Sequence, residues 1–325
     1  MNTGTASSGW HAGERALQSR AGVANRMAEL GSRVLRDHMP EQHRAFFAQL
    51  PFLVTGSIDD EDQPWASVLA APPGFAHSPD PRHLRVDALP APGNPLGDTL
   101  HAGASIALLG IEPHTRRRNR LNGWVTQRDA GGFSVEVGQS FGNCPKYIQA
   151  RAPVFVEDAV AAPRWHASTH MDEAARRMVA SADTFYIATA HPLARHGTGD
   201  MRAMHGVDVS HRGGRPGFVR LDGDRTLSAP DFAGNFFFNT LGNIAIHAKA
   251  GLLFIDFANG DLLHLAVNAQ VIWDGPEVEA FAGAQRLLRM QVESVLHRPG
   301  ALPLRWGAAE LSPHLEGTGD WHAAT

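Results

Sequence analysis

Apolar positions change their period several times along the chain, and each change marks an element. From Glu14 to His38, leucine, valine and methionine recur at helical spacing among Arg and Glu, which predicts a helix after a loose tail of about ten residues. Met39-Pro40-Glu41 opens a second helix that runs through Phe47 and stops at Pro51. From Phe52 the period shortens: FLVTGSI and WASVLAA are apolar strands joined by the acidic turn Asp59-Asp60-Glu61-Asp62. No glycine-kinked ligand loop follows those acids, so they read as a solvated hairpin tip and not as a metal site. Pro72 to Pro95 is rich in Pro and Gly and reads as loop with one strand, His83 to Ala88. Further strands are predicted at ASIALLGIE, at Leu121 to Thr126, at Phe133 to Val137 and along the alternating run Arg286 to His297.

The pattern repeats. Met39-Pro40-Glu41, a helix and FLVTGS match Met171-Asp172-Glu173, a helix and FYIATA. Asn94-Pro95-Leu96-Gly97-Asp98 followed by ASIALLGIE matches Asn239-Thr240-Leu241-Gly242-Asn243 followed by AGLLFIDF. Asn122-Gly123-Trp124-Val125 likewise matches Asn268-Ala269-Gln270-Val271. Each half is therefore expected to be a helix with about six strands, closing as a small β-barrel, with the two barrels forming a pseudo-dimer inside one chain. The expected fold class is mainly β (α+β), with a tail and helix over 1–38, a first repeat over 39–160, a second over 161–325, and the seam near Asp158 to Pro163.

Composition narrows what such a chain could do. With 29 Lys and Arg against 33 Asp and Glu, the net charge of -4 argues against a general nucleic-acid or membrane-surface protein and favours a small ligand. One cysteine, Cys144, excludes an internal disulfide framework and a Cys-based zinc site, and suits a reducing cytoplasm. The opening MNTGTASSGW has neither a basic nor an apolar signal region, and no apolar run is long enough to cross a bilayer, so a soluble cytoplasmic protein is expected. Histidines are numerous but lack HExxH-type spacing, and no metal site is expected.

Candidate chemistry concentrates in the second half. Gly234 to Phe257 reads GNFFFNTLGNIAIHAKAGLLFIDF, and its polar turn Asn239 to Asn243 has the composition of a helix start that can seat an anion: side-chain oxygens to cap backbone N–H groups and a glycine to let a ligand approach. The first half supplies the control. Its equivalent turn carries Pro95, which has no N–H, and Asp98, whose charge repels a phosphate. The basic strand before the second turn, VDVSHRGGRPGF from Val207 to Phe218, adds Ser210, His211 and Arg212.

These stretches resemble the pyridoxamine 5'-phosphate oxidase-like family of FMN-binding split barrels, including its tandem members. FFFNTLGN and the following LLFIDF are similar to that family's strand, Thr-Asn-Leu-Gly-Ser turn and apolar strand, where the FMN phosphate is held. Gln139-Ser140 resemble the family's Gln-Ser pair, which reaches FMN from the partner subunit, here the other half of the same chain. QSFGNCPKYI, from Gln139 to Ile148, resembles a hallmark of the tandem branch. The resemblance implies an FMN site between two barrels. Asn239, Thr240 and Asn243 would receive the phosphate, Ser210, His211 and Arg212 would add donors and charge, and Gln139 and Ser140 would close the site. Where the oxidase has an Arg-Lys pair after the turn this chain has Ile244-Ala245, so Arg212, and next Lys249, would supply the charge. The stretch Leu302 to Trp306 would cover the flavin. Because the isoalloxazine carries the electrons, no catalytic triad is expected, and no catalytic residue is assigned.

Other clusters keep two readings. Arg116-Arg117-Arg118-Asn119-Arg120 is either a substrate-binding run, with Arg118 and Arg120 on one side, or a solvated start of a strand. Cys144, at the start of a helix through Tyr147, is either a buried thiol or a stabilised thiolate, with Lys146 and Tyr147 at the pocket edge. The histidine-bearing tract Ala190 to His205 reads as a polar loop, with haem or metal binding as the alternative. The expectation is an FMN-dependent oxidoreductase acting on a small molecule with a nicotinamide or other electron donor, its homodimerisation left open. The alternative is a non-catalytic flavin or haem carrier or sensor on the same fold.

Overall fold

The computed structural model describes residues 9–156, 165–196 and 203–321. The predicted seam at Asp158 to Pro163 lies outside the described residues. The chain opens with α1 (Ala12–Arg20), α2 (Ala24–Val34) and α3 (Glu41–Ala48). The first sheet is built from β1 (Phe52–Ile58), β2 (Pro64–Ala70), β3 (Ala76–Asp80), β4 (His83–Val86), β5 (Ser105–Glu112), β6 (Arg117–Asp129) and β7 (Gly132–Gly142), with α4 (Pro95–Thr99) before β5. Short strands β8 (Pro153–Phe155) and β9 (His166–Ser168) lead to α5 (Glu173–Ser181). The second sheet follows with β10 (Thr184–Ala190), β11 (Val207–Gly213), β12 (Arg220–Asp222), β13 (Thr226–Phe232), α6 (Asn239–Ile246), β14 (Lys249–Ile255), β15 (Leu262–Ile272), α7 (Pro276–Ala280) and β16 (Ala284–Arg298). Last comes β17 (Leu304–Trp306), which pairs with β8.

The architecture is mainly β, built on two large antiparallel sheets. The first sheet runs β2-β1-β5-β6-β7-β4-β3 and the second β11-β10-β14-β15-β16-β13-β12, with β9 added beside β16. Matched by position, the two orders are the same, and α3 and α4 stand where α5 and α6 stand. Among the described residues, neither path closes on itself. The two sheets meet through β1, β2, β5, β10, β11 and β14. Three cores follow from this: one inside each half, around Phe46, Leu53 and Phe133 in the first and Phe185, Leu252 and Met290 in the second, and a third shared between them. That shared core joins Phe52, Val54 and Val68 to Tyr186, Val209 and Leu253, which is why strands at the junction such as β1 and β10 are buried along their whole length instead of alternating.

Local departures from the sequence pattern have physical causes. The helix expected from Glu14 to His38 is two helices, broken at Ala21-Gly22-Val23, where Gly22 takes φ +70°. Trp10, assigned to a loose tail, is buried beneath α2 and donates from Nε1 to the Met27 carbonyl at 2.8 Å. The loop from Pro72 to Pro95 holds two strands; β3 was hidden because its mostly exposed sequence AHSPD does not alternate and carries a proline, which an edge strand tolerates. No helix starts at Cys144. Residues 143–145 have no regular secondary structure, and Tyr147, in the turn that follows, takes φ 65°, a left-handed conformation that ends any helical run.

Candidate functional site

Four of the quoted stretches, from both halves, converge on one cavity of about 120 Å³. Strand β6 of the first sheet contributes Arg118 and Arg120, and the segment after β7 contributes Asn143, Cys144, Lys146 and Tyr147. Strand β11 contributes Ser210, His211 and Arg212, and the segment from β13 into α6 adds Asp231, Phe232, Phe236, Phe238, Asn239 and Thr240, with Arg286 from β16. Strand alternation explains why Arg118 and Arg120 share a side, as do Ser210 and Arg212.

Strain marks the same place. Among the described residues five non-glycine residues have positive φ, and three of them, Tyr147 (65°), Phe236 (63°) and Phe238 (63°), line this cavity. Bulky residues are held there only when their surroundings over-determine the backbone, and such outliers concentrate at functional sites. Tyr147 is fixed by its hydroxyl, which donates to the Ala233 carbonyl at 3.1 Å, and by the Phe232 ring 5.0 Å away.

The charges divide into paired and unpaired sets. Arg120 Nη1 donates to Asp208 Oδ1 at 2.5 Å and Nη2 to Ser210 Oγ at 2.7 Å, both residues buried. Thr240 Oγ1 lies 2.7 Å from Ser210 Oγ, and each hydroxyl lies 3.2 Å from Asp208 Oδ2. Arg212 donates to Asp231, whose other oxygen is 3.2 Å from Arg286 Nε. Arg118 is different: it donates only to main-chain carbonyls, Cys144 O at 2.7 Å and His211 O at 3.4 Å. Burial, with the neighbouring Arg120 charge adding, lowers its pKa to about 9. Lys146 has no carboxylate partner among the described residues. His211 is buried, and burial followed by the charges of Arg118, Arg212 and Arg151 holds its pKa well below the usual value, so it is neutral.

The expected anion seat on the α6 turn takes another form. The cap of α6 is Phe238, with no side-chain hydrogen bond, and the polar side chains of the turn, Asn239, Thr240 and Asn243, each already make a hydrogen bond within the protein. Asn239 Nδ2 donates to Glu14 Oε1 at 2.5 Å, Thr240 is engaged with Ser210 and Asp208, and Asn243 Nδ2 donates away from the cavity to Thr189 Oγ1 at 3.1 Å. Gln139 and Ser140 are not in the cavity wall. Gln139 Nε2 donates to Gly9 O at 3.3 Å, and Ser140 is bridged by the Arg36 main chain, with its hydroxyl 3.1 Å from His43 Nδ1. Lys249 lies at the other face, donating to Glu61 O at 2.5 Å. Leu302 to Trp306 belongs to the shared core, Trp306 packing on Phe52 and Phe257. The residues missed were Glu14, Asp208, Asp231 and Arg286. Asp208 stood inside the quoted VDVSHRGG, but only strand pairing shows which arginine it meets.

Glu14 is the least expected of these. Its carboxyl is buried against Asn239, His11, Arg120 and Asp208, and burial, reinforced by the Asp208 charge, raises its pKa from 4.5 to about 8. His11, facing His191, His205, Arg15 and Asn243, moves the other way: burial and then the two histidines lower its pKa from 6.5 to about 3. The signs give a window. Ionising Glu14 costs docking of α1 progressively as pH rises from 4.5 through about 8, and protonating His11 costs docking as pH falls from 6.5 through about 3. The two slopes oppose each other between 4.5 and 6.5, so amide-exchange protection of α1 is expected to be flat there and to fall on either side. Glu14→Gln is expected to remove the loss on the alkaline side, and an unchanged alkaline loss in that variant would assign the effect to another group.

No protein-family model and no curated protein matches the chain. Solved structures similar to it include HupZ of Group A Streptococcus, 14% identical over 38% of this chain and 90% of its own length, with a TM-score of 0.29. A protein of Lactobacillus delbrueckii named as a pyridoxamine 5'-phosphate oxidase is 13% identical over 39% of this chain and 94% of its own, with a TM-score of 0.30. An FMN-binding protein of Syntrophomonas wolfei is 12% identical over 38% and 86%, with a TM-score of 0.26. No helix of the described residues is long and apolar enough to cross a membrane, and no group of three or more His, Cys, Asp or Glu among them could hold a metal ion.

FMN, implied by the resemblance in sequence, meets this cavity only in part. Arg118 and Lys146 suit a phosphate, but about 120 Å³ falls short of the roughly 300 Å³ at the small end of pockets that enclose a cofactor-sized ligand. A whole flavin does not fit the cavity as it stands.

Proposed function

We propose that the cavity is the phosphate end of an FMN site and that the protein is a flavin-dependent oxidoreductase acting on a small molecule, with a nicotinamide-type compound as electron donor. The observation that carries this reading is the coincidence of unpaired cationic groups, Arg118 and Lys146, with three strained aromatic residues in one inter-half cavity. Bound flavin would supply the electron chemistry; the chain's part is to neutralise the phosphate and exclude water. Duplication, with halves 39–160 and 161–325, accounts for the matching strand orders and for a site to which both halves contribute. A second reading, a non-catalytic carrier of a small phosphate or carboxylate, is supported by the cavity's volume.

Flavin fluorescence quenching during titration with FMN tests the assignment. Arg118→Ala and Lys146→Ala are each expected to weaken FMN binding about ten- to a hundredfold, the worth of a charge-assisted hydrogen bond to phosphate. Arg212→Ala is expected to do less, because that guanidinium is already paired with Asp231, and Arg116→Ala, whose side chain bonds Glu310, is expected to do nothing. Equal, negligible effects at Arg118 and Lys146 would remove the phosphate from this cavity. Anaerobic bleaching of the holoprotein by NADH or NADPH, followed by reoxidation with candidate acceptors, separates enzyme from carrier.

A further inference from the structure

We infer that α1 and the residues flanking it form an internal strap that closes the groove between Gln139-Ser140 and the α6 turn, and that this strap leaves when a flavin-sized ligand enters. The inference rests on the flavin reading of the adjoining cavity and explains why the two expected walls of that site do not face each other across open space.

Each wall is engaged by the strap. On the first-sheet side, Gln139 Nε2 donates to Gly9 O, and Trp10 packs with Phe141 and Phe237 in one small apolar cluster. On the second-sheet side, Asn239 donates to Glu14, and Gln18 Nε2 donates to Phe237 O at 3.2 Å. Helices α1 and α6 cross with their backbones in contact at two glycines. A Cβ on Gly13 would stand 2.1 Å from Gly242 O, and one on Gly242 would stand 2.7 Å from Glu14 N. Glu14 thus brings a carboxyl group to the side-chain amide of Asn239.

The composition of the strap fits a reversible cover. The buried positions of α1 are Gly13, Glu14, Leu17 and Gln18, so the apolar hold on the strap comes from Leu17 and from Trp10 ahead of the helix, and the remainder is polar contact, which water replaces at little net cost. A helix of nine residues is marginal by itself, and its release breaks no sheet ladder: the one bridge between this region and a strand is Arg36 with Ser140, beyond α2.

Gly13→Val separates cover from site, since it blocks the glycine crossing and touches none of the cavity residues. Trp10→Ala, which removes the ring 5.0 Å from Phe237, is the second, gentler variant and carries the test should the first fail to fold. Amide exchange across residues 12–20 and limited proteolysis report release of the strap, and FMN titration of the same full-length proteins reports access. The expected result is loss of α1 protection together with FMN affinity at least tenfold above wild type in both variants. Release of the strap with wild-type FMN affinity overturns the inference and leaves the flavin reading standing. Release with no flavin binding in any protein, wild type included, overturns both. Undiminished protection of α1 in both variants also overturns it, because the strap is then an integral part of the fold.

Discussion

Replacing Asp208 by asparagine is expected to lower the stability of the protein by about 3–5 kcal/mol, the usual cost of leaving one member of a buried ion pair without its partner. Asp208 and Arg120 are each 3% exposed, and Asp208 is also the carboxylate near which the hydroxyls of Ser210 and Thr240 converge. Asparagine keeps the shape and removes the charge, so Arg120 keeps its positive charge in a site where Arg118 and Arg212 already repel it. The melting temperature is expected to fall by roughly 10 °C for that loss. Part of it should return with inorganic phosphate, because the donors released from Asp208 adjoin a cavity already lined by Arg118. Chloride at matched ionic strength should not restore it, which separates binding from screening. A melting curve equal to wild type, or one indifferent to phosphate, would show that these donors are not committed to Asp208.

Gly251→Val is expected to cost about 3 kcal/mol or more, from a position that touches neither the cavity nor the strap. Gly251 lies on β14 against β2 of the other sheet, where a Cβ would fall 2.2 Å from the Pro64 carbonyl oxygen and 2.7 Å from the Trp65 Cα. Both obstacles are main chain and cannot rotate aside, so the strands must part and the shared core around Phe52, Val68 and Leu253 opens with them. Gly97→Ala on α4, where a Cβ would meet only Pro90 Cγ at 3.7 Å, is the control and is expected to change stability little. Chemical denaturation of the two variants decides the matter. Coincident curves would mean that the sheets do not rely on this contact.

Much of the frame could be read from the residues in order. The runs FLVTGSI, ASIALLGIE, FYIATA and AGLLFIDF are too short for helices and too uniformly apolar for one-sided sheets, and all four occupy junction strands buried on both faces. The order of landmarks repeated between halves anticipated the matching strand orders. Exposed or irregular elements were harder to see. Strand β3 has no alternation to betray it, and the run after Cys144 had the composition of a helix start but received a left-handed Tyr147 instead.

For the site, the sequence by itself marked out stretches that meet: Arg118 and Arg120, the NCPKY run, SHRGG and FFFNTLGN all reach one cavity. Only the tertiary structure decided which of their charges are free. Whether an arginine is available to a ligand depends on the carboxylate that folding brings opposite it: Asp208 meets Arg120 across the two halves, Asp231 meets Arg212 and Arg286 between strands, and Glu14 arrives from a helix more than two hundred residues away. Such pairings set the electrostatics of a buried site through distances of a few ångströms, and those distances follow from sheet register and helix docking, which no residue type or spacing encodes.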